Sequence, residues 1–116
     1  MIIQVKGKQL KEGAFYRGII SEHKITDSKL IICVIFDKDA ETEYIKSIRI
    51  EDNVNSAFVN LAKSLDLFDE NGNIDTDYLE DLHVKANLQR GYDERLYIDK
   101  LEIDDKYYAS QKEAEE

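Results

Sequence analysis

The sequence predicts a mainly β fold of five strands and one helix, with the helix between the third and fourth strands. Three observations predict it. Four short stretches place their residues on two faces at period two and a fifth is apolar throughout and rich in β-branched residues, apolar residues recur at steps of three and four through a single further stretch, and short polar turns separate them.

The first strand is read in "AFYRGIISEHK", where Phe15, Arg17, Ile19 and Ser21 share one face and Tyr16, Gly18 and Ile20 the other. Its internal glycine, Gly18, predicts a bulge or sharp bend. The polar stretch "HKITDS" reads as a turn. "KLIICVIFD" follows, β-branched and apolar on both faces, and is expected to lie centrally in the sheet. "KDAET" turns the chain again. "EYIKSIRIED" is the third strand, with Ile45 facing opposite to Tyr44, Lys46 and Ile48.

The period then changes. In "DNVNSAFVNLAKSLDLF" the residues Val54, Ala57, Phe58, Leu61, Ala62 and Leu65 form the stripe of an amphipathic helix, with Asp52 or Asn53 as its expected N-cap. "DENGNIDTDYLE" places acids and amides at the ligand spacing of a calcium-binding loop. The sixth place, where such a loop needs glycine, holds Ile74; sliding the frame to put Gly72 there leaves Leu67 and Tyr78 at ligand positions. A polar turn on Asn71, Gly72 and Asn73 is the better reading, followed by a short helical turn capped by Asp75 or Thr76. "LHVKANLQR" then alternates with Leu82, Val84, Ala86 and Leu88 inward, and "RLYIDKLEI" pairs back on it as a hairpin through "GYDE". The tail, "DDKYYASQKEAEE", carries five acids and two lysines and is expected to fray from about residue 108. Residues 1–107 are read as one domain.

Strand, strand, strand, helix, strand, strand is the order of the OB-fold, a five-stranded Greek-key barrel whose helix plugs one end, here with Phe58, Leu61 and Leu65. Such barrels take oligonucleotides or oligosaccharides on strands two and three, between the loops joining strands one to two and four to five. Binding a single strand needs cations for phosphates and aromatic rings for bases. The first loop offers His23, Lys24 and Lys29; the second offers Arg90, Tyr92, Arg95 and Tyr97. Lys46 and Arg49, three apart on one strand, cannot both face the groove. Tyr16 and Tyr44 fit either core or groove.

Composition sets limits on other readings. There are 25 Asp and Glu against 16 Lys and Arg, a net charge of −9. Residues 1–29 hold six cations and three acids, a net of +3, so residues 30–116 carry −12. That balance argues against nonspecific duplex binding. The single cysteine, Cys33, excludes an internal disulfide and sits in an apolar run as a small buried thiol. His23 and His83 lack partners at metal-ligand spacing, and no catalytic triad or phosphate loop is present, so neither an enzyme nor a cofactor is expected. The opening "MIIQVKGKQ" has no leader-like apolar segment, and no apolar run is long enough to cross a membrane; a cytoplasmic protein is expected.

With "LKEGAFYRGII" and "VKANLQRGYDERLYIDKLEI" in view, the chain resembles the small OB-type single-stranded-DNA-binding proteins of bacteriophages and mobile elements. The corresponding stretches are Gly13 to Ile20, Phe58 to Leu65 and Val84 to Gly91. The resemblance implies binding of single-stranded DNA in replication or recombination, as a homo-oligomer, with Lys24, Lys29, Lys46, Arg90, Tyr92, Arg95 and Tyr97 as contacts. The chain departs from such proteins in its acidity and its lack of tryptophan. A competing reading is an acidic inhibitor of a host defence nuclease, binding a host or phage protein through Asp37, Asp39, Glu41 and Glu43. A third is a structural OB-fold interaction module without a ligand.

Overall fold

The structure, a computed structural model, describes the backbone of residues 10–115 and the side chains of residues 10–112. The opening "MIIQVKGKQ" and the terminal Glu116 lie outside the described residues. In chain order the elements are β1 (Phe15–Thr26), β2 (Lys29–Phe36), β3 (Asp39–Arg49), α1 (Ala57–Ser64), a single 3-10 turn (Thr76–Leu79), β4 (His83–Arg90), β5 (Leu96–Ile103) and α2 (Asp105–Glu115).

The strands form one antiparallel sheet in the order β3-β2-β1-β4-β5. β1, rather than β2, is therefore the middle strand. Its first half pairs with β4 and its second half with β2, and Gly18 lies opposite both Val84 and Phe36. A Cβ at Gly18 would stand 2.6 Å from the Ile35 carbonyl oxygen and 3.1 Å from Phe36 Cα. The glycine thus permits close backbone approach. The bulge expected there lies further on, between Ile20 and Glu22. Gly18→Ala is expected to cost about 1–3 kcal/mol, because a fixed carbonyl must move; a urea melt checks it, and an unchanged midpoint would refute the crowding.

The turn after β1 is shorter than the sequence suggests. His23 to Thr26 remain in the strand, and Asp27 and Ser28, with φ of 49° and 62°, make a two-residue hairpin of type I′ character. Likewise Asp39 to Thr42, read as turn, belong to β3.

Alternate residues of each strand meet on one face. Ile20, Leu30, Ile32, Val34, Phe36, Tyr44, Val84, Ala86 and Leu88 are buried together there with Phe58, Leu61 and Leu65 of α1. The inward set of β4 is as the alternation predicts. Tyr44 is a core residue and Tyr16 is half-buried against the core, each edge-on to Phe36, at 5.3 and 6.1 Å between centroids respectively. Tyr44 donates its hydroxyl to Asp39 at 2.9 Å, so Asp39 is buried and not part of a solvated acidic loop.

α1 starts later than predicted. Its N-cap is Ser56, whose Oγ accepts the Val59 N–H at 3.1 Å; Asn53 instead takes the Asn55 N–H at 2.9 Å and closes the preceding turn, leaving Val54 outside the stripe and exposed. After α1 the polar loop closes on itself. Asp69 Oδ1 accepts the N–H groups of both Asn71 and Asn73 at 2.9 Å, and Gly72 takes φ +79°. The 3-10 turn is capped by Asp75.

The expected barrel is not closed. Because every neighbouring pair is antiparallel, β3 and β5 at the two edges run in the same direction, and among the described residues no backbone hydrogen bond joins them. α1 touches both edges, and Lys46 reaches across to donate to the Asp99 carbonyl at 2.6 Å. A side chain spans where a ladder was expected.

The tail is also corrected: residues 105–115 are helical. Buried Asp104 accepts the Tyr107 N–H at 3.2 Å and the Arg17 guanidinium at 2.6 Å. The Tyr107 ring stacks on His83 at 3.5 Å, and Tyr108 Oη accepts the His83 N–H at 3.0 Å. Burial pushes the Asp104 carboxyl up, but the Arg17 hydrogen bond and the Tyr107 N–H prevail and hold it below the usual carboxylate range. The helix is thus held by a cap and two rings rather than by an apolar stripe. No helix among the described residues is long and apolar enough to cross a membrane.

Candidate nucleic-acid interface

The seven residues singled out in the sequence fall into three places. Arg90, Tyr92, Arg95 and Tyr97 come together on the β4–β5 hairpin. Gly91 N–H donates to the Arg95 carbonyl at 2.8 Å and Glu94 N–H to the Gly91 carbonyl at 3.1 Å, closing a compact loop. Asp93 fixes it from inside, accepting the Tyr97 hydroxyl at 2.6 Å and the Arg95 N–H at 3.1 Å. Those two donors hold the Asp93 carboxyl below the usual carboxylate range, the Tyr97 hydrogen bond contributing most. Tyr97 is thereby pinned over Gly91, where a Cβ would stand 2.8 Å from its ring. Its exposed area belongs to the loop's support. Tyr92, at the tip, is fully exposed.

Two arginines, Arg90 and Arg95, flank Tyr92 along the hairpin. Arg90 lies 3.9 Å from Glu94 and donates to the Glu94 carbonyl at 2.7 Å; Arg95 lies 4.0 Å from Asp93. Exposed pairs this long are worth little, about 0–1 kcal/mol, so both guanidiniums can exchange their partners for phosphate. Below the hairpin is a cleft of about 730 Å³ between the edge strands, lined on one side by Thr42 to Ile45 and on the other by Leu96 and Tyr97.

Lys24 and Lys29 are elsewhere. Along β1, nine residues on from the Phe15 pairing with Asn87, Lys24 is on the order of 30 Å of strand path from the β4 end of the sheet. The bulge at Ser21 shifts the phase, so Lys24 points outward beside Ile31, and Lys29 lies directly opposite Arg49 on the same outer face. Lys46 faces inward and is engaged with Asp99. The structure therefore does not join the two predicted loop sets into one site. Of Lys46 and Arg49, which cannot share a face, Arg49 is the one that lies with Lys24 and Lys29.

Between these cation sets lies an acidic patch missed in the sequence. Glu22 of β1, Cys33 of β2 and Glu43 of β3 bring their donor atoms within 4.8 Å of one another, and the thiol donates to Glu22 at 3.7 Å. Burial, then the charges of Glu43 and Glu22, push the Cys33 thiol up from 9.0 to about 11. A thiol that holds its proton more tightly in the fold contributes stability in full below pH 9.0, and that contribution is lost as pH rises towards about 11. Thiol alkylation followed against pH is expected to give an inflection near the upper value; an inflection near 9 would contradict the arrangement.

No protein-family model matches this chain, and no curated protein matches it significantly.

Proposed function

We propose that this chain is a noncatalytic, OB-like module that binds single-stranded DNA through the β4–β5 hairpin. Support for the OB-like architecture comes from the element order, the two parallel edges that face each other, and α1 lying against both. The observation that carries the function is Tyr92: a fully exposed ring on a hairpin fixed by Asp93, with an arginine on either side of it in the chain. A tyrosine has only two side-chain torsions to immobilise when a base stacks on it, and the arginines of the same hairpin meet the adjoining phosphates. Lys24 and Lys29 are outside this site.

Fluorescence anisotropy of a labelled oligo(dT), titrated with the protein at two salt concentrations and repeated with a duplex, tests the reading. Saturable binding of the single strand that weakens with salt, with little binding of the duplex, is the expected result. Absence of binding at low salt overturns it and turns attention to a protein partner for the acidic surface.

A further inference from the structure

The outer face of β1, β2 and β3 is divided by charge along the strands. At one end Lys29 and Arg49 are paired across the ladder and Lys24 is one row away. Like charges set opposite each other destabilise a sheet. Neither Lys24 nor Lys29 forms an ion pair among the described residues, and Arg49 only approaches Glu51 at 4.0 Å. At the other end of the same face stand Glu22 and Glu43, with no cation between them in the Cys33 cluster. Apolar groups lie among these charges: Ile31, beside Lys24, and Ile35, opposite Glu43, are half-buried although they point away from the core, and Ile45, in the Glu22 row, is 44% exposed.

We infer that this face docks on the same face of a second copy of this chain. A two-fold axis crossing the strands between the Lys24–Ile31–Ser47 row and the Glu22–Cys33–Ile45 row reverses one copy end for end. Lys24 then lies over Glu22 of the other copy, and Lys29 and Arg49 lie towards its Glu43. Each contact occurs twice, as a closed isologous interface requires, and the isoleucines are covered in the same step. Both clusters of like charge are relieved by one partner. Four rows about 6.8 Å apart on three strands about 4.8 Å apart make a patch on the order of 400 Å² per copy, smaller than the ~800 Å² of a standard interface. The dimer is accordingly weak and salt-sensitive, and it leaves the β4–β5 hairpin of each copy free. The inference does not depend on DNA binding.

Sedimentation equilibrium of the full chain without nucleic acid, from micromolar to millimolar protein at low and high salt, tests it. A monomer–dimer equilibrium that weakens with salt is expected. Lys24→Glu with Lys29→Glu leaves Arg49 as the one cation among these five charged residues, and Glu22→Lys with Glu43→Lys makes all five basic; each double variant alone should self-associate at least about tenfold more weakly, since like charges are brought together. An equimolar mixture of the two should recover association, which also shows that both remain folded. A wild-type chain that stays monomeric to millimolar concentration overturns the inference, whatever the variants do. So does a wild-type dimer that either double variant forms equally well.

Discussion

Phe36→Ala is expected to destabilise the fold by about 3–5 kcal/mol, the range for truncating a buried phenylalanine. The side chain is fully buried at the end of β2, and its ring meets the edges of Tyr16 and Tyr44. On a third side it lies against Gly18, its Cδ1 only 3.1 Å from where a Cβ there would be. Collapse cannot fill the resulting hole, because Gly18 has no side chain to move in and Tyr44 is tied to Asp39. A domain of this size has about 5–15 kcal/mol of stability in all, so the variant should stand near the limit of folding. Urea denaturation gives the answer directly: a shifted midpoint with an unchanged slope is expected. A loss below about 1 kcal/mol would show that this junction is loosely packed.

Tyr92→Ala is expected to weaken oligo(dT) binding by about 1–3 kcal/mol, roughly five- to 150-fold, the measured range for removing one stacking platform. Its melting temperature should not move, since the ring touches no core residue and is fully exposed. Arg95→Gln should act differently. That side chain is 81% exposed, and its ion pair among the described residues is the 4.0 Å approach to Asp93, so its loss should lower the dependence of log K on log salt by about one phosphate contact. Arg90 is a poorer probe because its guanidinium also holds the Glu94 carbonyl. Normal affinity in the combined Tyr92→Ala, Arg95→Gln variant would remove the hairpin from the binding site.

Much of the fold could be read in the sequence because local alternation sufficed. Val84, Ala86 and Leu88 face inward as the period demands, and Phe58, Leu61 and Leu65 lie on the buried side of α1. What could not be read depended on single residues or on distant partners. The bulge at Ser21 moves β1 by one residue, and a one-residue slip exchanges the two faces of a strand. For that reason Lys24 points outward with Lys29 and Arg49, a grouping that counting along "SEHK" does not disclose. The grouping of the hairpin residues was legible for the opposite reason: Arg90, Tyr92 and Arg95 lie within one short loop, where sequence proximity is spatial proximity. α2 was missed because its hold on the sheet is a stacked pair, Tyr107 on His83, formed between residues that no periodicity connects.

The Lys46 span between β3 and β5 has a consequence for motion. Where a barrel is sealed by a ladder, its strands can separate only if several backbone bonds break together. Here, among the described residues, one ammonium-to-carbonyl bond, the direct packing of β3 on β5 and the packing of α1 hold the two edges, so they can part without disturbing β1 or β2. Amide hydrogen exchange should register this as two tiers: protection near the global unfolding free energy in the β1–β2 and β1–β4 ladders, and much faster exchange at the facing edges of β3 and β5. The cleft beside such an edge can widen or narrow while the centre of the sheet stays fixed.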